Sequence, residues 1–144
     1  MDPPAVAGLP LAVTTGVAMG VLTTFYGLEG DVEPLVWTGV SVAWILLFLS
    51  RGGLRHPVTA LAKRMAFTGV FTGLIQWFNY DTYRASNPWY EAEAAGYAEA
   101  GSHWVALAQI GGGVGIGAVW GALTGLALLG AQRVTGIGPK SKKA

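Results

Sequence analysis

At 144 residues the chain is sized for one domain, and its 12% of charged residues with a mean hydropathy of +0.46 is too apolar for a soluble one, where charges usually make up about a quarter of the residues. A net charge of +1 leaves no basic surface for nucleic acid, because Lys and Arg fall mainly in one short loop and one tail. The lack of cysteine excludes disulfides, thiolate catalysis, iron–sulfur ligation and lipid attachment through sulfur.

Four apolar stretches, at about 9–27, 34–51, 60–80 and 103–131, read as transmembrane helices. An apolar core about 30 Å thick needs about 20 helical residues. The first stretch has no basic n-region and no small-residue cleavage site ahead of Glu29, so it is expected to persist as a mature helix. Glu29, Asp31 and Glu33 follow it with no basic residue among them. The second starts at Pro34, a favoured first helical residue, and ends at Arg51, whose long side chain reaches the headgroups. Arg51, Arg55, Lys63 and Arg64 follow with no acid between them. After the third come Asp81, Glu91, Glu93 and Glu99 against Arg84 alone.

In that loop Asn87 and Pro88 read as an N-cap and a first-turn proline. A short interfacial helix is expected to run from Trp89 to Ala100 and stop at Gly101, with Tyr90 and Tyr97 at headgroup level. The fourth stretch is long enough to tilt or to project beyond the bilayer. A flexible tail over 134–144 then carries Lys140, Lys142 and Lys143, after Arg133.

Charge therefore changes sign at each crossing, and basic short loops stay on the cytoplasmic side. The expected fold is an all-α membrane protein: one domain over 1–144, a four-transmembrane-helix bundle of two helical hairpins, N-in and C-in. Strands are excluded, since no period-2 alternation occurs and four spans cannot close a barrel. The expected location is a prokaryotic plasma membrane with both termini cytoplasmic. There Arg51, Arg55, Lys63, Arg64, Arg133, Lys140, Lys142 and Lys143 meet lipid headgroups, each worth about 1 kcal/mol near an anionic surface. The segment from Thr15 to Phe25 aligns without gaps on that from Thr68 to Phe78, which points to two parallel repeats about an axis normal to the membrane.

Small residues recur every four positions. Gly113, Gly117, Gly121 and Gly125 form a ridge on the fourth span, and Gly16 with Gly20, Gly39 with Ala43, and Gly69 with Gly73 repeat the spacing on the others. Residues four apart share a helix face, and a face without side chains lets two backbones approach. These positions are expected to pack helices together, within the bundle or between copies. The cost of glycine in a helix interior makes the run from Gly111 to Gly113 the expected break in the fourth span.

Polar residues inside the spans are mild, and most hydroxyls are expected to bond back to their own helix. Gln76, Asn79 and Gln109 are the candidates for a polar pocket or an interhelical hydrogen bond. No ionisable residue falls at the bilayer centre, which argues against proton-driven transport. His56 and His103 lie a membrane thickness apart, so they cannot jointly ligate a haem, and no metal site is expected. With no nucleophile–histidine–acid set, paired carboxylates or phosphate loop, no enzyme and no cofactor are expected. The functional expectation is a non-catalytic accessory or assembly subunit, or a homo-oligomeric scaffold, whose partners are membrane lipids and other membrane subunits. The alternative is a small channel or facilitator for a neutral or weakly polar solute.

Overall fold

A computed structural model describes residues 3–28, 32–90, 95–96, 99 and 101–139. Among them the chain is helical, with no strand, and four helices are long and apolar enough to cross a membrane, consistent with an integral membrane protein. These are α1 (Pro3–Val21) prolonged by a π-helical turn (Leu22–Tyr26), α2 (Val32–Ser50), α3 (Pro57–Phe78), and a fourth helix. The fourth is built from α5 (Ser102–Ala106), a second π-turn (Leu107–Gly111) and α6 (Gly112–Thr135). A short α4 (Tyr80–Ser86) and a 3-10 turn (Pro88–Tyr90) follow α3. The bundle thus has a basic end, with Arg51, Arg55 and Arg133, and an acidic end, with Glu33, Asp81 and Glu99.

The expected interfacial helix is only partly within the described residues. Pro88–Tyr90 forms a 3-10 turn, Ala95, Gly96 and Glu99 are helical, and Glu91, Glu93, Tyr97 and Ala100 lie outside them. So do Glu29, Asp31, Lys140, Lys142 and Lys143.

α3 is the central element, flanked by α1 and α6, and its contact with α6 is the most extensive in the bundle. The α3–α6 seam is backbone against backbone. A Cβ added at Gly117, Gly121 or Gly69 would collide with the carbonyl oxygen of Met65, Leu61 or Gly113 respectively. One at Gly113, Gly73 or Gly125 would stand 2.5 Å from the Gly69 oxygen, the Gln109 oxygen or the Val58 Cα.

The α1–α3 seam is built differently. Gly16 and Gly20 give room to Thr68 and Ile75, while Thr68 Oγ1 and Thr72 Oγ1 donate to the Ala12 and Gly16 carbonyls at 3.2 and 3.1 Å. Both hydroxyls also lie within bonding distance of their own helix, at Arg64 O and Thr68 O. Positions 68 and 69 point about 100° apart on a helix, so α3 carries a hydroxyl face and a glycine face side by side.

Three expectations are corrected here. The first two spans do not form a packed hairpin: α1 lies on α3, and α2 leans on α6 through Ser41, Trp44 and Phe48. Gly39 and Ala43 are exposed, and a Cβ at Gly39 would meet nothing within 4 Å. The bulky side of α2 faces the bundle because α6 already spends its glycines on α3. The aligned repeats also do not pack as a two-fold pair. Gly16 and Gly20 face α3, whereas their counterparts Gly69 and Gly73 face α6 rather than α1.

The fourth helix is not broken at Gly111–Gly113. It runs on through the π-turn that ends at Gly111, because wide-turn hydrogen bonds keep the chain helical.

At the basic end, Trp44, Phe48, Leu54, Leu61, Met65 and Leu128 form the apolar core. α2 stops in a Schellman motif: Gly53 N–H bonds Phe48 O at 2.7 Å, Gly52 N–H bonds Leu49 O at 3.0 Å, and Gly52 takes φ +86°. The turn is tied to α6 by Gln132, which accepts from Leu54 N–H at 3.3 Å and donates to Leu54 O at 3.1 Å. Arg51, Arg55, Lys63 and Arg133 are exposed. Arg64 departs from the headgroup expectation, since it is half-buried with its guanidinium 4.9 Å from the Phe48 ring centre and against Gly8.

The seam predicts a position-dependent response to one methyl group. Gly117→Ala and Gly121→Ala are expected to lose about 2 kcal/mol or more, because a backbone atom must move. Gly130→Ala, where nothing lies within 4 Å, should stay within about 0.5 kcal/mol of wild type. Equilibrium unfolding in mixed micelles measures all three.

Candidate functional site

Among the described residues, the acidic half of the bundle is not filled. Above the Trp44–Phe48 core, Ser41 Oγ and Thr124 Oγ1 stand 2.9 Å apart and Trp120 Nε1 donates to Ser41 Oγ at 2.9 Å. This polar layer ties α2 to α6. Beyond it α2 loses contact, and a cavity of about 500 Å³ opens, within the usual range for small-molecule sites. Trp37 and Glu33 of α2 form one wall, Gly69, Thr72 and Gln76 of α3 another, and Gln109, Gly112, Gly113 and Ile116 of the fourth helix the third. Tyr83, Trp89 and Tyr90 close the acidic end.

A surface groove of about 850 Å³ adjoins the cavity between α2 and α6 and is lined by Leu28, Pro34, Pro88 and Trp120. Glu33, Trp37, Trp89 and Ile116 line both. The whole site therefore opens on the flank of the bundle.

The polar wall is held by hydrogen bonds that cross elements. Gln76 Nε2 donates to Thr23 Oγ1 at 3.0 Å, and the buried Gln109 Nε2 donates to the Tyr90 hydroxyl at 2.8 Å. Tyr90 stacks edge-on against Tyr83 at 5.3 Å and Trp89 at 5.9 Å, a favoured aromatic geometry. Asn87, 2% exposed, donates through Nδ2 to Thr23 O and Tyr83 O, both at 2.8 Å. It thus fastens the end of α4 to the first π-turn. Gly27, at φ +61°, ends that turn against Ser86 O, where a side chain has no room.

Of the three expected pocket residues, Gln76 and Gln109 line the cavity from facing helices. Asn79 does not: its Nδ2 bonds Ile75 O of its own helix at 2.9 Å, closing the end of α3. Sequence reading missed Glu33, Trp37, Trp89 and Trp120 as site residues. Trp37 and Trp89 with one acid nearby were an available signal, but they resemble an ordinary interfacial belt, and Trp120 lies deeper, in the polar layer with Ser41. Asn87 looked like a helix N-cap, and its side chain instead serves two carbonyls. His56 and His103 are both exposed, at opposite ends of the bundle.

No protein-family model matches the chain, and no curated protein or solved structure matches it.

Two predictions follow from this geometry. Gln109→Leu removes a buried bond worth about 1 kcal/mol and should loosen the Pro88–Tyr90 turn, read as faster hydrogen exchange at the Tyr90 amide with α3 amides unchanged. Beside the Tyr83–Tyr90 pair, burial pushes the Tyr80 hydroxyl above its usual value, with Arg84 opposing the rise and Asp81 adding to it. A raised value means the fold prefers protonated Tyr80. That contribution is complete below about pH 10 and is lost as pH climbs through the raised value. Alkaline melting should therefore be less steep in Tyr80→Phe.

Proposed function

We propose that this protein is a non-catalytic membrane component that holds one amphiphilic molecule in the cavity between α2 and the α3–α6 pair. The observation that carries the reading is the cavity itself: about 500 Å³, amide and hydroxyl groups on one wall, aromatic rings on the other, and an opening to the side. A molecule with an apolar body and a polar end matches such a lining, and a lateral mouth lets it enter from the lipid.

Two other readings lose their supports. An accessory subunit or homo-oligomer held by glycine faces needs those faces free, yet the glycines of α3 and α6 are occupied by each other's backbone. Of the glycine-face positions singled out from the sequence, Gly39 and Ala43 face outward, as do Gly111 and Gly115 on the fourth helix. A facilitator needs a through-route, and the cavity stops at the Ser41–Thr124–Trp120 layer, with the Trp44, Phe48 and Leu128 core beneath. In the orientation we propose, the basic end with Arg51, Arg55 and Arg133 is cytoplasmic and the cavity lies in the outer leaflet.

Gly112 offers a clean test. It lines the cavity, and a Cβ there meets nothing within 4 Å, so Gly112→Phe fills the space without displacing backbone. Wild type purified in mild detergent is expected to carry about one amphiphile per chain by mass spectrometry of the extract, and Gly112→Phe at least about tenfold less. Equal amounts in the two, or none in either, would reject the proposal.

A further inference from the structure

Resting on that binding-site reading, we infer that the preferred occupant is an amphiphilic monocation, an apolar body ending in one quaternary ammonium or amine group, with Glu33 as its counter-charge. Glu33 lines both the cavity and the groove, so its carboxylate stands where the two meet. Its hydrogen bond is a 3.3 Å contact from Trp37 Nε1, an uncharged donor. Among the described residues lining either space there is no Lys, Arg or His. Among the described residues the site therefore carries a negative charge and no cation in its lining.

The rest of the lining points the same way. Trp37, Trp89 and Trp120 line the groove beside Glu33. Aromatic faces attract cations most strongly when water is excluded, which is how aromatic cages hold quaternary ammonium groups. Four side-chain donors of the lining are engaged within the protein. Gln76 Nε2 goes to Thr23, Gln109 Nε2 to Tyr90, Trp37 Nε1 to Glu33 and Trp120 Nε1 to Ser41. The carboxylate and the two amide oxygens are acceptors there, and the donors that line the site, the amides, hydroxyls and indoles, are all uncharged. An anionic headgroup needs donors and positive charge, and this lining favours the opposite sign.

The test compares two probes of one shape: decyltrimethylammonium, and its neutral carbon isostere carrying a 3,3-dimethylbutyl end. Both are titrated against the full chain in a nonionic sugar detergent, with tryptophan fluorescence as the readout. The cation is expected to bind at least about tenfold more tightly. Glu33→Gln should remove that preference, and Glu33→Asp should keep part of it. Equal affinity of the two probes for wild type overturns the charge assignment while leaving the amphiphile reading intact. A preference that survives in Glu33→Gln also overturns it. Failure of both probes to bind wild type, where Gly112→Phe titrates identically, overturns the underlying reading as well. The wild-type comparison decides the matter even if Glu33→Gln does not fold.

Discussion

Everything else in the bundle is arranged around the contact of two bare helix backbones. Between helices in hydrocarbon there is no hydrophobic drive, since lipid tails are as apolar as leucine, so association depends on close packing and interhelical hydrogen bonds. α3 and α6 meet at Gly69 and Gly113, and again where Gly117, Gly121 and Gly125 reach Met65, Leu61 and Val58. At that range the seam gains dispersion along its whole length and admits weak Cα–H contacts to carbonyls. The hydroxyls of Thr68 and Thr72 then attach α1 to the adjoining face of α3. Glycine on one side and threonine on the other give α3 two neighbours held by different means.

The cavity is a consequence of that closeness. Once α6 turns its glycines to α3, it offers α2 a face of Trp120, Thr124 and Leu128, which Ser41, Trp44 and Phe48 engage at the basic end. Among the described residues no comparable wedge exists nearer the acidic end, where α2 brings Trp37 and Glu33 and the fourth helix brings Gly112 and Gly113. Both π-turns lie at this same end. They bring Thr23 and Gln109 into reach of Gln76 and Tyr90, and such wide turns recur at functional sites.

The period of the glycines was legible because a small residue every fourth position has few uses besides close packing. What stands opposite was not, because the pattern marks a face without naming its neighbour. Gly39 and Ala43 carry the same spacing as Gly69 and Gly73, yet they look outward. Gln76 and Gln109 were legible as polar groups at one depth. Asn79, only three residues on, folds back on Ile75. Gln132 and Asn87 were invisible for a shared reason. Each bonds the main chain of a segment more than sixty residues away, and a main-chain partner leaves no signature in side-chain types. Arg64 was misread because its place behind Arg55 resembled a headgroup contact, whereas about two helical turns into α3 it stands over Phe48.

The hydrogen bonding around the cavity also says how an occupant relates to the fold. Thr72, Gln76 and Gln109 each already have a protein acceptor for their protons, so the walls stand without a ligand. A buried polar wall lacking such partners would lose about 1–3 kcal/mol per group when empty and would make the occupant a structural cofactor. Glu33 is the exception: it lies at the mouth, half-exposed, and is served by one indole. Its charge is tolerable there because water or headgroups reach it, whereas the same group at the depth of Thr124 would be costly. Placing Glu33, the one charged residue among the described residues lining the cavity, at the entrance and the bonded amides deeper in suits the reversible occupancy proposed above. On the proposed reading the molecule folds first and binds afterwards.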